Sequence, residues 1–158
     1  MADGTTGADG PVSTRTENTA LQEVLAAEHA AVWGYAVVGA ALAGSAKDDA
    51  AAAEAAHRDL RDRIAELLDS RKQAPVPAKA GYALPFAVRS ARDASALAVT
   101  IEDGVSRTWV QLLDRAAQKS TRALAVDSLS QAELRAVAWR GAAGKTPVTS
   151  PFPGLPNP

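Results

Sequence analysis

The chain has 158 residues, a formal net charge of −1 at neutral pH and no cysteine. This length suits a single domain, and the near-zero net charge argues against a dedicated nucleic-acid-binding protein. The absence of cysteine excludes disulfides, cysteine-ligated zinc, iron–sulfur clusters and thiol catalysis. Apolar residues make up 47% of the chain, and many of them are alanine, which favours helices that pack closely.

The first 16 residues are predicted to form a disordered tail. They are rich in Gly, Thr, Ser and Asp, and they lack the apolar region of a signal peptide. No long apolar run is free of charged residues, so no membrane span is expected, and the expected location is the cytoplasm. The folded domain is predicted to cover residues 17–145, followed by an extended, proline-rich tail at 146–158.

Two alanine-rich stretches, at residues 17–43 and 46–72, have the apolar spacing of amphipathic helices. In the first stretch the inward stripe alternates steps of four and three residues. Its members are Leu21, Leu25, Glu28, Val32, Tyr35, Gly39 and Leu42. The corresponding stripe of the second stretch consists of Ala50, Ala53, His57, Leu60, Ile64 and Leu67. The short turn between them predicts an antiparallel helical hairpin.

Residues 72–90 contain three prolines and a glycine, so no helix can continue through them. A connection of this length is expected to have a task, such as crossing the length of a bundle. Two further helices are predicted over residues 91–117 and 120–143. The sequence leaves open whether the second is continuous or has a break or kink near residues 128–130, where Ser130-Gln-Ala-Glu133 has the pattern of a capping box.

This order of elements predicts an all-α, ferritin-like four-helix bundle with a long crossover between helices 2 and 3. Di-metal sites in such bundles take a Glu from helices 1 and 3 and a Glu-x-x-His pair from helices 2 and 4. The candidate ligands for iron or manganese are Glu28, Glu54, His57 and Glu102. Helix 4 has no histidine, so the pattern is incomplete, and neither a metal nor another cofactor is expected.

Glu28 lies on an apolar stripe, where a carboxylate is costly unless it is paired, hydrogen-bonded or metal-bound. If helices 1 and 2 fold back about Ser45, Glu28 comes level with residue 62. His57 is then offset from Glu28 by roughly 7 Å along the axis, at ~1.5 Å per residue. This offset disfavours a metal shared by Glu28 and His57, and it predicts a buried Glu28–Arg61 ion pair.

Helix 3 has two adjacent acidic residues near its middle, Glu102 and Asp103. One of the two is expected to face inward, where Arg107 or Arg140 would neutralise it. The predicted inner polar residues are therefore Glu28, His57, Arg61 and Glu102. A hydrogen-bonded network of this kind can fix the register of packed helices.

Six phrases along the chain carry a resemblance to a known family. They are ALQEVLAAEHAAVWGY, HRDLRDRIAELL, YALPF, AVTIEDGVSRTW, AVAWR and FPGLP. In this order and spacing they resemble a small actinobacterial family of ferritin-like domains of unknown function, over about residues 18–156. The resemblance implies a ferritin-like four-helix bundle and brings no known reaction with it.

The sequence favours a non-enzymatic binding or structural module, with no catalytic residue assigned. A metal-dependent oxidoreductase or iron-handling protein of the ferritin or rubrerythrin type is one alternative, and it requires the four candidate ligands to converge. A small-molecule binder is another, with a cleft between the helices and the crossover near Tyr82 and Phe86. A homodimer is a further arrangement, through a small-residue face at Gly34, Val38 and Ala41.

Overall fold

The structure is a computed structural model that describes residues 13–155, and these residues form an all-α bundle without strands. Its four helices are α1 (Thr14–Ala40), α2 (Gly44–Ser70), α3 (Ala91–Arg115) and α4 (Lys119–Ala142). The predicted bundle with a long connection between the second and third helices is confirmed. Across residues 13–155, none of the helices combines the length and apolarity that a membrane span requires.

α1 begins earlier than predicted, at Thr14. Ser13 has an extended backbone, and its side-chain oxygen accepts a hydrogen bond from the Thr16 N–H at 3.2 Å. This is an N-cap, which satisfies one of the free N–H groups of the first turn. Of the two predicted tails, residues 1–12 and 156–158 lie outside the described part of the chain.

α4 is one continuous helix, which answers the question that the capping-box pattern left open near residues 128–130. The Ser130 hydroxyl donates to the carbonyl of Val126 at 2.8 Å, one turn earlier in the same helix. Ser130 therefore lies inside the helix rather than at an N-cap, and the Glu133 carboxylate accepts a hydrogen bond from the Ser106 hydroxyl of α3 at 2.7 Å. α4 therefore keeps a single register and a single inward stripe along its whole length.

α1 and α2 run antiparallel, as predicted for a helical hairpin. Near one end, the Arg71 guanidinium donates to the side-chain oxygen of Asn18 at 2.7 Å. Near the other end, a Cβ placed on Gly39 would lie 3.9 Å from the Cβ of Ala50. These two contacts fix the register of the hairpin and place Glu28 level with residue 61 of α2.

α1 also packs against α3, which covers the small-residue face predicted for a homodimer. A Cβ on Gly34 would lie 2.7 Å from Cδ1 of Ile101, so the glycine permits a close approach of the two helices. Val38 is fully buried in the core. Gly34 and Val38 therefore pack within the chain, and the prediction that they form a dimer face is wrong.

The crossover, residues 71–90, runs along the outside of α1 and is fixed to it. The side-chain amide of Gln22 holds the crossover backbone at two points, one of them the N–H of Val76 at 2.8 Å. Further along, the rings of Trp33 and Tyr82 pack with their centres 5.8 Å apart. The crossover thus carries the chain along the bundle and lets α3 return beside α1.

A buried ion pair joins three helices at one end of the bundle. Glu17, in the first turn of α1, is buried and lies 2.6 Å from the Arg71 guanidinium. The Gln118 N–H and the Thr121 hydroxyl donate to the same carboxylate at 2.7 and 2.8 Å. Burial raises the pKa of Glu17, but these hydrogen bonds and the Arg71 charge outweigh it and hold the pKa below its usual value.

Candidate functional site

Ionisable side chains from all four helices meet inside the bundle. We call this group the buried charge cluster, and its members are Glu28 and Tyr35 from α1, His57 from α2, Glu102 from α3 and Arg135 from α4. The two glutamates and the histidine have no solvent exposure. Buried charges are stable only when they are paired and hydrogen-bonded, so the contacts within the cluster decide what it can do.

His57 bridges the two glutamates with its two ring nitrogens. Nδ1 lies 2.7 Å from Oε2 of Glu28, and Nε2 lies 3.2 Å from Oε1 of Glu102. Burial lowers the pKa of His57, but the hydrogen bonds and charges of Glu102 and Glu28 outweigh it and raise the pKa to about 9. His57 is therefore an imidazolium at neutral pH and donates a hydrogen bond to each carboxylate.

Glu102 is the centre of the cluster. Its Oε1 atom accepts hydrogen bonds from the Tyr35 hydroxyl at 2.5 Å, from Arg135 Nε at 2.8 Å and from His57. Burial raises the pKa of Glu102, but the hydrogen bonds from His57 and Arg135 and their charges outweigh it and lower the pKa. Glu102 is therefore a carboxylate at neutral pH.

Tyr35 closes the cluster on the α1 side. Its ring stacks on the His57 ring with the two centres 5.2 Å apart. Burial and the neighbouring Glu102 charge raise the pKa of Tyr35 well above its usual value. The hydroxyl therefore keeps its proton and serves as a hydrogen-bond donor to Glu102.

The cluster is electrically balanced. Counted formally, two acidic side chains, Glu28 and Glu102, face two basic side chains, His57 and Arg135. Only the Arg135 side chain, at 18% exposure, contacts solvent to a marked degree. Charge pairing offsets part of the desolvation cost of the buried ions, but Oε1 of Glu28, Oε2 of Glu102 and Nη2 of Arg135 have no hydrogen-bond partner within the described part of the chain.

Arg61 lies outside the cluster, so the predicted Glu28–Arg61 ion pair is wrong. Its guanidinium lies at the surface and pairs with the neighbouring Asp62 at 2.8 Å. A guanidinium at the surface keeps its hydration, whereas burial would have cost that hydration. The carboxylate of Glu28 is met by His57 instead.

Glu54 also lies outside the cluster, although it shares the Glu-x-x-His spacing with His57. Its carboxylate pairs with Arg58, one turn further along α2, with Nε at 3.1 Å. The structure therefore brings together Glu28, His57 and Glu102 among the four candidate ligands and leaves Glu54 on the outer face. Within residues 13–155, no group of three or more His, Asp or Glu side chains has the arrangement of a metal site.

Of the adjacent acidic residues in α3, Glu102 faces inward and Asp103 lies at the edge of the bundle. Arg140 pairs with Asp103 rather than with Glu102. The expectation that Arg107 or Arg140 neutralises the inward carboxylate is therefore wrong, because Arg135 has this role. Arg135 escaped the sequence-based prediction, although it continues the inward stripe of α4, which also includes Ser128, Ala132 and Trp139.

Comparison with known proteins places the chain in a family. A crystal structure of a conserved hypothetical protein from Mycobacterium tuberculosis is similar, with a TM-score of 0.79 and 32% sequence identity. The similarity covers 82% of this chain and 98% of that one. No curated protein matches. The model of the family described as a domain of unknown function (DUF4439) matches residues 20–157, and the chain belongs to that family.

Proposed function

We propose that this protein is a ferritin-like, non-enzymatic binding or structural module in which the buried charge cluster stands in place of a di-metal centre. The long crossover between α2 and α3 is the connectivity of ferritin-like bundles, which supports the fold assignment. The observation that carries the proposal is the bridge at His57, whose two ring nitrogens both engage carboxylates. A cluster that draws on every helix in this way would fix how the helices fit together.

The cluster does not fit a metal ion. A metal-binding histidine presents a neutral ring nitrogen, whereas each ring nitrogen of His57 lies within hydrogen-bond distance of a carboxylate. Among the described residues, the carboxylate oxygens without a partner are Oε1 of Glu28 and Oε2 of Glu102, while Arg135 adds a fixed positive charge. Two oxygen ligands beside two cations are a poor site for iron or manganese.

The alternative, an iron- or manganese-dependent oxidoreductase or iron-handling protein, requires a rearranged cluster. Glu54 would have to leave Arg58 and turn inward, and His57 would have to lose a proton and release one carboxylate. α4 would still supply Arg135 where the ferritin-like pattern has a Glu-x-x-His pair. We therefore propose that the protein uses no metal cofactor.

Metal loading tests this proposal. We expect no stoichiometric metal after incubation with Mn²⁺, Fe²⁺ or Zn²⁺ and gel filtration, and no change in Tm. A free metal concentration of 100 times the Kd would add about 2.7 kcal/mol to the free energy of unfolding. The Tm would then rise by roughly 5–10 °C, so binding would be easily detected. Elemental analysis and thermal unfolding are the two readouts.

The variant His57→Gln separates the outcomes. One or two metal ions retained per chain, with a Tm increase that this variant abolishes, would contradict the proposal and support the alternative. A Tm increase that persists in His57→Gln would mark binding at surface carboxylates and leave the proposal standing. The variant Glu54→Gln reports whether the Glu-x-x-His pair takes part.

A further inference from the structure

A second feature lies on the other side of α1 from the hairpin with α2. It is a crevice of about 330 Å³ between α1, α3 and residues 82–85 of the crossover, which we call the crossover crevice. Its walls include Trp33 and Tyr82, and its floor lies over Gly34 and Ile101. The crevice shares no lining residue with the buried charge cluster, so its role can be argued separately.

The lining of the crossover crevice is uncharged. None of its residues is acidic or basic, although 22% of the chain is charged. The Thr100 hydroxyl donates to the Ala96 carbonyl at 3.1 Å, and the Tyr82 hydroxyl accepts from the Lys79 N–H at 3.2 Å. The Lys79 ammonium lies 6.0 Å from the centre of the Tyr82 ring but is not part of the lining. An ionic ligand would lose most of its hydration in the crevice, whereas an uncharged apolar ligand would gain from leaving water.

Gly104 contributes to the open space of the crevice. It lies inside α3, where glycine is among the least favourable residues for helix stability. Unlike Gly34, it is not required by a close contact, because a Cβ at Gly104 would meet nothing within 4 Å. The missing side chain at position 104 leaves room at the wall of the crevice, and the alanines at positions 27, 30 and 31 also keep the lining small.

One alternative predicted from the sequence is a small-molecule cleft near Tyr82 and Phe86. Tyr82 does line the crevice, followed by Leu84 and Pro85, whereas Phe86 is not part of the lining. Leu84, at the edge of the crevice, is 36% exposed. A ligand in the crevice would cover apolar surface that is now in contact with water.

We propose that the crossover crevice binds a small, uncharged and largely apolar molecule, with the rings of Trp33 and Tyr82 at one wall and Gly104 at the other. Its volume falls at the lower end of the range of ligand pockets, ~300–1,000 Å³, which favours a molecule of one or two ring systems. This inference goes beyond the proposed function and does not depend on it.

Titration with N-phenyl-1-naphthylamine, a neutral two-ring-system dye that brightens when it leaves water, tests the proposal. We expect saturable binding to the native protein with one dye per chain. The substitution Gly104→Leu fills the crevice and should raise the Kd of the dye by about tenfold or more. Gly141→Leu is the matched control, because Gly141 is also a helical glycine with nothing within 4 Å of its Cβ, and it lies outside the crevice.

Four results would overturn the proposal. They are no saturable binding to the native protein, unchanged binding to Gly104→Leu, an equal loss in Gly141→Leu, and equal affinity for the sulfonated analogue 8-anilinonaphthalene-1-sulfonate. The last result would show that the site does not select uncharged ligands. If Gly104→Leu does not fold, Ala30→Leu fills the crevice from the α1 side and repeats the test.

Discussion

Replacing Glu102 by alanine is expected to lower the free energy of unfolding by about 4 kcal/mol. The substitution removes the acceptor of three hydrogen bonds and leaves the Arg135 guanidinium and the Tyr35 hydroxyl without their partner inside the bundle. His57 also loses one of its two carboxylates. Removing one side of a buried ionic network is far more costly than replacing the whole network by apolar residues.

Urea unfolding and thermal scans of the Glu102→Ala variant measure this effect, with an expected decrease in Tm of roughly 8–16 °C for a domain of this size. Glu54→Ala is the matched control, because Glu54 is also a helical glutamate in an ion pair, but on the outer face. The Glu54→Ala substitution should lower the free energy of unfolding by less than about 0.5 kcal/mol. Equal effects of the two substitutions would contradict a stabilising role for the buried charge cluster.

The native protein is expected to lose about 3 kcal/mol of stability between pH 6.5 and pH 9. The pKa of His57 is raised to about 9 in the folded state, against about 6.5 in an unfolded chain. Its contribution is therefore fully present below pH 6.5 and is lost as the pH rises through about 9. At about 1.4 kcal/mol per pH unit between the two values, the loss is about 3 kcal/mol.

Chemical unfolding at a series of pH values measures this loss, and the two histidines supply the control. His29 contacts the crossover at the carbonyl of Val76 and lies outside the cluster. His29→Gln should retain the alkaline loss of stability, and His57→Gln should have a flatter profile over the same range. A loss that persists in His57→Gln would assign the effect to another group.

Much of the fold could be predicted from short-range patterns. The stripes of α1 and α2 and the three prolines after α2 were sufficient to predict two hairpins joined by a long crossover, because apolar periodicity and proline act locally. The continuity of α4 could not be predicted for the opposite reason. Whether Glu133 caps its own helix depends on Ser106, which lies in another helix and cannot be seen in a local pattern.

The pairing of Glu28 shows that the register of two helices does not by itself predict which side chains pair. The backbone register of the hairpin was predicted to within one residue, since the structure places Glu28 level with residue 61 rather than 62. His57 is then only about 6 Å away along the axis, at ~1.5 Å per residue. The glutamate and imidazole side chains together span that distance, so the nearest backbone level did not decide the partner.

The difference in solvation between Arg61 and His57 decided which of them pairs with Glu28. Arg61 is level with Glu28 but remains hydrated beside Asp62, while His57 already lies on the inward stripe and becomes charged between two carboxylates. Arg135 could have been found from the stripe of α4, had that helix been treated as continuous. Tyr35 lies on the same stripe of α1 as Glu28, two turns further along, which is the signal that could have identified it.

An NMR pH titration of the His57 ring nitrogens tests the central claim most directly, with His29→Gln used to assign the signals. The account predicts a ring that is protonated on both nitrogens at neutral pH and loses a proton only near pH 9. A ring that is neutral at pH 7, with a pKa at or below its usual 6.5, would contradict it. Such a ring would leave a nitrogen free for a metal and would reopen the oxidoreductase alternative.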